Sequence, residues 1–144
     1  GQDGGSPAAA NYQLVAASGG VIHWGNGYDG SMILKGTTVI SDGKWHHITG
    51  VYGNSYANIY IDGKLDASGT HTAATILTTQ WRWGRFQNSL GQWPGSFQGC
   101  FVYRRVLNVS EVMMLAKNAN LLHLSSKKAL QRKVSGRVFI AMSC

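Results

Sequence analysis

An antiparallel β-sandwich with one short helix near the C-terminus is the fold class this sequence predicts. Three observations carry that expectation. Asn58, Tyr60 and Asp62 alternate with Ile59 and Ile61, the period of a strand with one face in a core. Glycine-bearing turn signals (Ser18-Gly19-Gly20, Asn26-Gly27, Asp29-Gly30, Asp42-Gly43 and Asp62-Gly63) punctuate the chain at short intervals. Finally, 144 residues with 44% hydrophobic content and 19 glycines are enough for one domain that buries a core without disulfide or metal.

In chain order, strands are expected at Tyr12–Ala17, Val21–Trp24, Met32–Leu34 and Thr37–Ile40. The run Trp45-His46-His47-Ile48-Thr49-Gly50-Val51-Tyr52 is rich in aromatic and β-branched residues. It forms a hairpin with the Ile59/Ile61 strand through Gly53-Asn54-Ser55. A second hairpin follows at Asp62-Gly63, since both residues tolerate positive φ. Further strands are expected at Ile76–Trp83 and Phe97–Arg104. One helix, near Ser110–Ala119, is capped by Ser110, carries a stripe of Val112, Met113, Leu115 and Ala116, and stops at Asn118 and Asn120. Residues 1–120 read as the domain and 121–144 as a basic, then apolar arm that packs on the domain or on a partner.

The net charge of +7 resides in the C-terminal part. Arg104, Arg105, Lys117, Lys127, Lys128, Arg132, Lys133 and Arg137 face Glu111 alone, whereas the preceding charges balance. Lys127, Lys128, Arg132 and Lys133 are candidate anion-binding residues, for nucleic acid, sulfated glycan or lipid headgroup. A solvated tail explains the same run, and nucleic acid is not the expected partner. No apolar run approaches the length of a membrane span. Low charge with abundant Gly, Ser, Thr, Asn and aromatic residues suits an extracellular, cell-surface or virion-associated β-protein. Cys100 and Cys144 have no Cys-x-x-Cys or Cys/His zinc spacing, and one disulfide between them is compatible with the sequence.

The stretch Trp45 to Ser68, W-H-H-I-T-G-V-Y-G-N-S-Y-A-N-I-Y-I-D-G-K-L-D-A-S, resembles the central hairpins of laminin-G-like jelly rolls in the concanavalin A-like superfamily. Trp83-Gly84-Arg85 is similar to that family's "I-G-R" strand end. Gly95-Ser96-Phe97 through Leu107, followed by Ser110-Glu111-Val112, resembles its last strand and the short helix after it. The resemblance covers about half the chain and implies a concanavalin A-like jelly roll of the bacterial or bacteriophage type. It also implies that the family's N-terminal strands, one of which lies beside the final strand, are missing before Gly1–Ala10. The open edge would then be covered by Val134–Met142 as a substitute strand, or by the same segment from a second copy, giving a homodimer.

Catalysis is not expected. Glucanases of the resembled superfamily use paired carboxylates on one strand, but Glu111 is the only glutamate and no two aspartates alternate along a strand. His46 and His47 are neighbours on a strand and point to opposite faces, so they cannot ligate one metal together. No cofactor is expected. Calcium, common in the resembled family, would have to draw on Asp29 in its Asn26–Gly30 loop, or on Asp3 with Asp42.

Aromatic residues are the candidate ligand-binding set. Trp81 and Trp83 share one strand face, as do Phe101 and Tyr103, with Cys100 and Val102 turned inward in the family's pattern. Trp93, Asn26, Tyr28 and Trp24 could add to them from loops. Outward rings stack on the apolar C–H faces of sugars while amides take the hydroxyls. The same rings could instead be covered by the arm or another subunit. The implied function is a non-catalytic module that binds a glycan or a protein surface. A structural component of a phage or prophage particle, with the arm as docking peptide, is the second class.

Overall fold

The computed structural model describes residues 12–17, 19–26, 34–53, 55–70, 95–127 and 137–143. They contain β1 (Tyr12–Ala16), β2 (Ile22–Asn26), β3 (Leu34–Lys35), β4 (His46–Tyr52), β5 (Tyr56–Ile61), β6 (Lys64–Thr70), β7 (Ser96–Tyr103), α1 (Val109–Lys127) and β8 (Arg137–Ser143). Two sheets result: one of three strands, β1-β2-β3, and one of five, in the order β6-β5-β4-β8-β7.

The hairpins form where the turn chemistry predicts them. Gly19 and Gly20 take φ of 87° and 74°, and Ala17 N–H donates to the Val21 carbonyl at 2.8 Å, closing β1 onto β2. Between β5 and β6, Ile61 pairs with Lys64 across a two-residue loop in which Asp62 and Gly63 have φ of 53° and 81°. That is the conformation an Asp-Gly hairpin favours. A Cβ on Gly63 would also lie 3.2 Å from Ala116 Cβ and from Met113 Cα. Glycine therefore serves the turn and the approach of α1 together.

The period of two sorts β4 and β5 into two faces. Ile48, Tyr52, Ala57, Ile59 and Ile61 meet Ile22, Trp24, Leu34 and Ile40 in the core between the sheets, with Phe97, Cys100 and Val102 packed against it. Full burial of a side chain such as Ile48 or Ile59 stabilises by about 1.5–3 kcal/mol. On the opposite face Val51 and Tyr60 join Leu107 and Val112 in a second core, flanked by Tyr103 and Leu115. Helix α1 thus lies over the outer face of the five-stranded sheet.

Several expectations are corrected. Residues Thr37–Ile40 form no strand; they run beside β2, with Gly36 N–H on the Ile22 carbonyl (2.7 Å) and Ile40 N–H on the Gly20 carbonyl (2.8 Å). The reason is Asp66, whose carboxylate accepts the backbone N–H and the hydroxyl of both Thr37 and Thr38 at 2.6–3.0 Å. Those donors are spent and cannot enter a ladder. Of the strand expected at Met32–Leu34, Leu34 begins β3, Leu34–Lys35, and residues 32–33 lie outside the described residues.

The helix is capped by Asn108 rather than Ser110. Asn108 Oδ1 accepts Glu111 N–H at 3.0 Å and Glu111 Oε2 accepts Asn108 N–H at 2.8 Å, a reciprocal capping box. The helix also passes through Asn118 and Asn120 to Lys127. Asparagine costs under about 1 kcal/mol inside a helix, and the buried faces of Val112, Ala116 and Ala119 outweigh that.

The five-stranded sheet is not purely antiparallel: β8 pairs parallel to both β4 and β7. Cys100 is a free, half-buried thiol whose pKa burial pushes up. The expected strand Ile76–Trp83 and Cys144 lie outside the described residues.

Candidate functional site

Two constellations of functional groups emerge. The first sits where β4 begins. His46 turns toward Asp42 and Asp62: its Nε2 lies 2.9 Å from Asp42 Oδ1 and its Nδ1 2.8 Å from Asp62 Oδ2. A carboxylate only accepts hydrogen bonds, so the two contacts are made together when both ring nitrogens carry protons, and the site favours the imidazolium form of His46. Desolvation works against that charge, but the hydrogen bonds to Asp42 and Asp62 and their negative charges outweigh it and raise the pKa. Lys44 joins in, its Nζ donating to Asp42 Oδ2 at 2.8 Å and its backbone N–H to Oδ1 at 2.9 Å. These bonds, with those from His46, hold the Asp42 carboxyl well below the usual carboxylate range. Asp62 in turn receives the His47 N–H at 2.8 Å, and its own N–H donates to the His47 carbonyl at 2.8 Å. The cluster thereby ties the 42–46 segment to the β5–β6 turn.

The ring of His47 is buried on the other side of β4, its Nδ1 3.4 Å from the fully buried Thr49 hydroxyl. Desolvation drops its pKa to about 4, against a smaller opposing pull from Asp62. The two histidines therefore take opposite faces, as alternation along a strand requires, and their pKa values shift in opposite directions.

Every described carboxylate is engaged. Desolvation of Asp66 is outweighed by the Thr38 and Thr37 hydrogen bonds, which lower its pKa. Glu111 accepts two bonds from Arg105, at 2.7 and 2.9 Å, besides its place in the helix cap, and its pKa falls accordingly. Among the described residues no group of three or more His, Cys, Asp or Glu could hold a metal ion. Asp42, considered above for calcium, has both oxygens occupied by Lys44 and His46; Asp3 and Asp29 lie outside the described residues.

The second constellation is the outer face of the five-stranded sheet, on either side of α1. On β7 the ring of Phe101 is 58% exposed, whereas Tyr103 on the same face packs against the second core. Phe101 and Tyr103 thus share a face opposite Cys100 and Val102, but only Phe101 is open. On β5 and β6, Ser68 Oγ donates to Asn58 Oδ1 at 2.7 Å and Asn58 Nδ2 donates to Tyr60 Oη at 3.3 Å. Tyr56 stands exposed on the same strand face. Sequence reasoning did not single out Asn58, Ser68 or Tyr56, although the alternation of Asn58 with Ile59 already assigned Asn58 to the outer face.

Of the other candidates, Trp24 is buried in the core rather than free for a ligand. Asn26 ends β2 and Lys127 ends α1. Trp81, Trp83, Trp93, Tyr28, Lys128, Arg132 and Lys133 lie outside the described residues.

A family model described as the concanavalin A-like lectin/glucanases superfamily matches residues 2–113. No curated protein matches the chain. Among solved structures, the chain is similar to an S-layer domain-containing protein (residues 221–444) from Clostridium thermocellum ATCC 27405. The two are 21% identical with a TM-score of 0.48, over 79% of this chain and 59% of that one. The chain thus spans less than two thirds of that structure.

Proposed function

Because the chain belongs to the concanavalin A-like lectin/glucanase superfamily, with a laminin-G-like jelly-roll domain, we propose that it is a non-catalytic module that recognises carbohydrate at an extracellular or cell surface. The observation that carries this reading is the open ring of Phe101 on the outer face of β7. An exposed aromatic on a rigid strand offers a flat apolar surface to a sugar ring. Trp81, Trp83, Trp93 and Tyr28 are the proposed extension of that surface.

Absence of catalysis is part of the proposal. It is supported by the occupation of Asp42, Asp62, Asp66 and Glu111 in hydrogen bonds that position loops and the helix cap. A glycan array identifies the ligand. Phe101→Ala then weakens binding about five- to tenfold, the scale of one aromatic stacking contact, without lowering the melting temperature. Undiminished binding in Phe101→Ala removes β7 from the site. An empty array, or reducing sugar released from a polysaccharide by the chain, overturns the proposal itself.

A further inference from the structure

The position of β8 points to an exchange between copies of this chain. Among the described ladders of both sheets, only those of β8 are parallel, and only β8 joins neighbours from distant parts of the sequence. Val138–Ser143 pairs with His46–Val51 on one side. On the other, Arg137–Ser143 pairs with β7 from Ser96 to Tyr103, with a register shift between Phe97 and Cys100. The region matched by the family model, residues 2–113, contains both walls of this slot, β4 and β7, but not the strand that fills it.

Without β8, two rows of backbone N–H and C=O groups would face each other across about 9–10 Å, twice the strand spacing. Neither row could reach the other, and unpaired edges of that kind are costly. The slot therefore demands an extended segment in parallel register. Nothing in the walls distinguishes the chain's own segment from the identical segment of another copy.

We propose that the β4–β7 slot also accepts β8 from a second copy, so that two chains exchange this strand reciprocally and each sandwich is completed by its partner. Nine residues, 128–136, separate α1 from β8. Extended, they span about 30 Å, enough for α1 to stay on its own sheet while β8 crosses. Every pairing made within one chain is remade between two, so exchange costs little once two copies meet.

The test uses the full chain with Cys100 and Cys144 replaced by Ala and with Thr49→Cys and Ala141→Cys introduced, since Thr49 and Ala141 are register partners. Refolding at high concentration followed by oxidation yields a covalent dimer on a non-reducing gel. At low concentration the same chain closes within itself and runs as a monomer. A second readout is independent of the new thiols. The unchanged chain under reducing conditions, refolded at the same high concentration, is expected at twice the monomer mass by light scattering. A chain that stays monomeric in both measurements at every concentration overturns the proposal. So does a dimer in which the introduced thiols at positions 49 and 141 link only within chains, because its interface then lies elsewhere.

Discussion

Acid should weaken this protein at one buried ring. His47 is neutral in the fold, its pKa about 4, against 6.5 in the unfolded chain. Below pH 6.5 the unfolded chain therefore binds at this residue a proton that the folded one refuses, and the contribution of His47 to stability falls as the pH drops toward 4. Integrating that difference from about pH 7.5 to about pH 5 gives a loss of about 2 kcal/mol, or about 1 M in a urea midpoint. Asp42, Asp66 and Glu111 act with the same sign, but their folded pKa values are depressed below unfolded values of 3.8–4.5. Their contribution is thus intact at about pH 5. The clean measurement is the stability of the chain minus that of His47→Gln, from urea unfolding followed by tryptophan fluorescence at both pH values. The advantage of the histidine should shrink by about 2 kcal/mol on acidification. A difference that does not change with pH would show that His47 is hydrated or charged in the fold, and the reasoning would fall.

His46 works with the opposite sign. Its folded pKa is raised, so its contribution is complete below pH 6.5 and is lost as the pH climbs through the raised value. The chain should lose stability relative to His46→Gln above pH 6.5 in the same urea assay, and a flat difference there would mean that the bridge between Asp42 and Asp62 is not made. In the core, a Cβ on Gly50 would come within 2.3 Å of the fully buried Trp24 ring. Gly50→Ala should cost about 3 kcal/mol by overpacking, with part of the loss recovered in Gly50→Ala/Trp24→Phe; thermal unfolding that leaves Gly50→Ala at the parent's midpoint would place the ring elsewhere.

What could be read from the sequence was whatever local chemistry decides. Asp62-Gly63 can do little but turn, and Ile59 and Ile61 fall on one side of any strand that contains them. Less legible were features decided by partners far along the chain. Thr37 and Thr38 look like strand residues until Asp66, 29 and 28 positions away, takes their donors. Asn118 looks like a helix stop until Val112, Ala116 and Ala119 are found buried on the same helix. Ser110 and Asn108 are both good caps, and Glu111 chooses between them by standing three residues after Asn108. The outer-face site was half legible. Alternation assigned Phe101 and Tyr103 to one face, but it could not show that the second core covers Tyr103 and leaves Phe101 open.

The interior place of β8, between β4 and β7, has a consequence for how the molecule is made. During synthesis β4, β5 and β6 emerge early and can pair through their own tight hairpins, whereas β7 has no place in the sheet until the segment beyond α1 has left the ribosome. Until then the nascent chain carries two open edges, and the bonds that close them on the β4 side link residues about ninety positions apart. Long-range parallel pairing is slow, and open edges invite association between chains. The interval before β8 docks is therefore when this protein is most exposed to aggregation. Crowded ribosomes translating one message would slow neither hairpin formation nor helix formation, but they would bring unfinished sheets close together at the stage when each lacks the strand that joins β4 to β7.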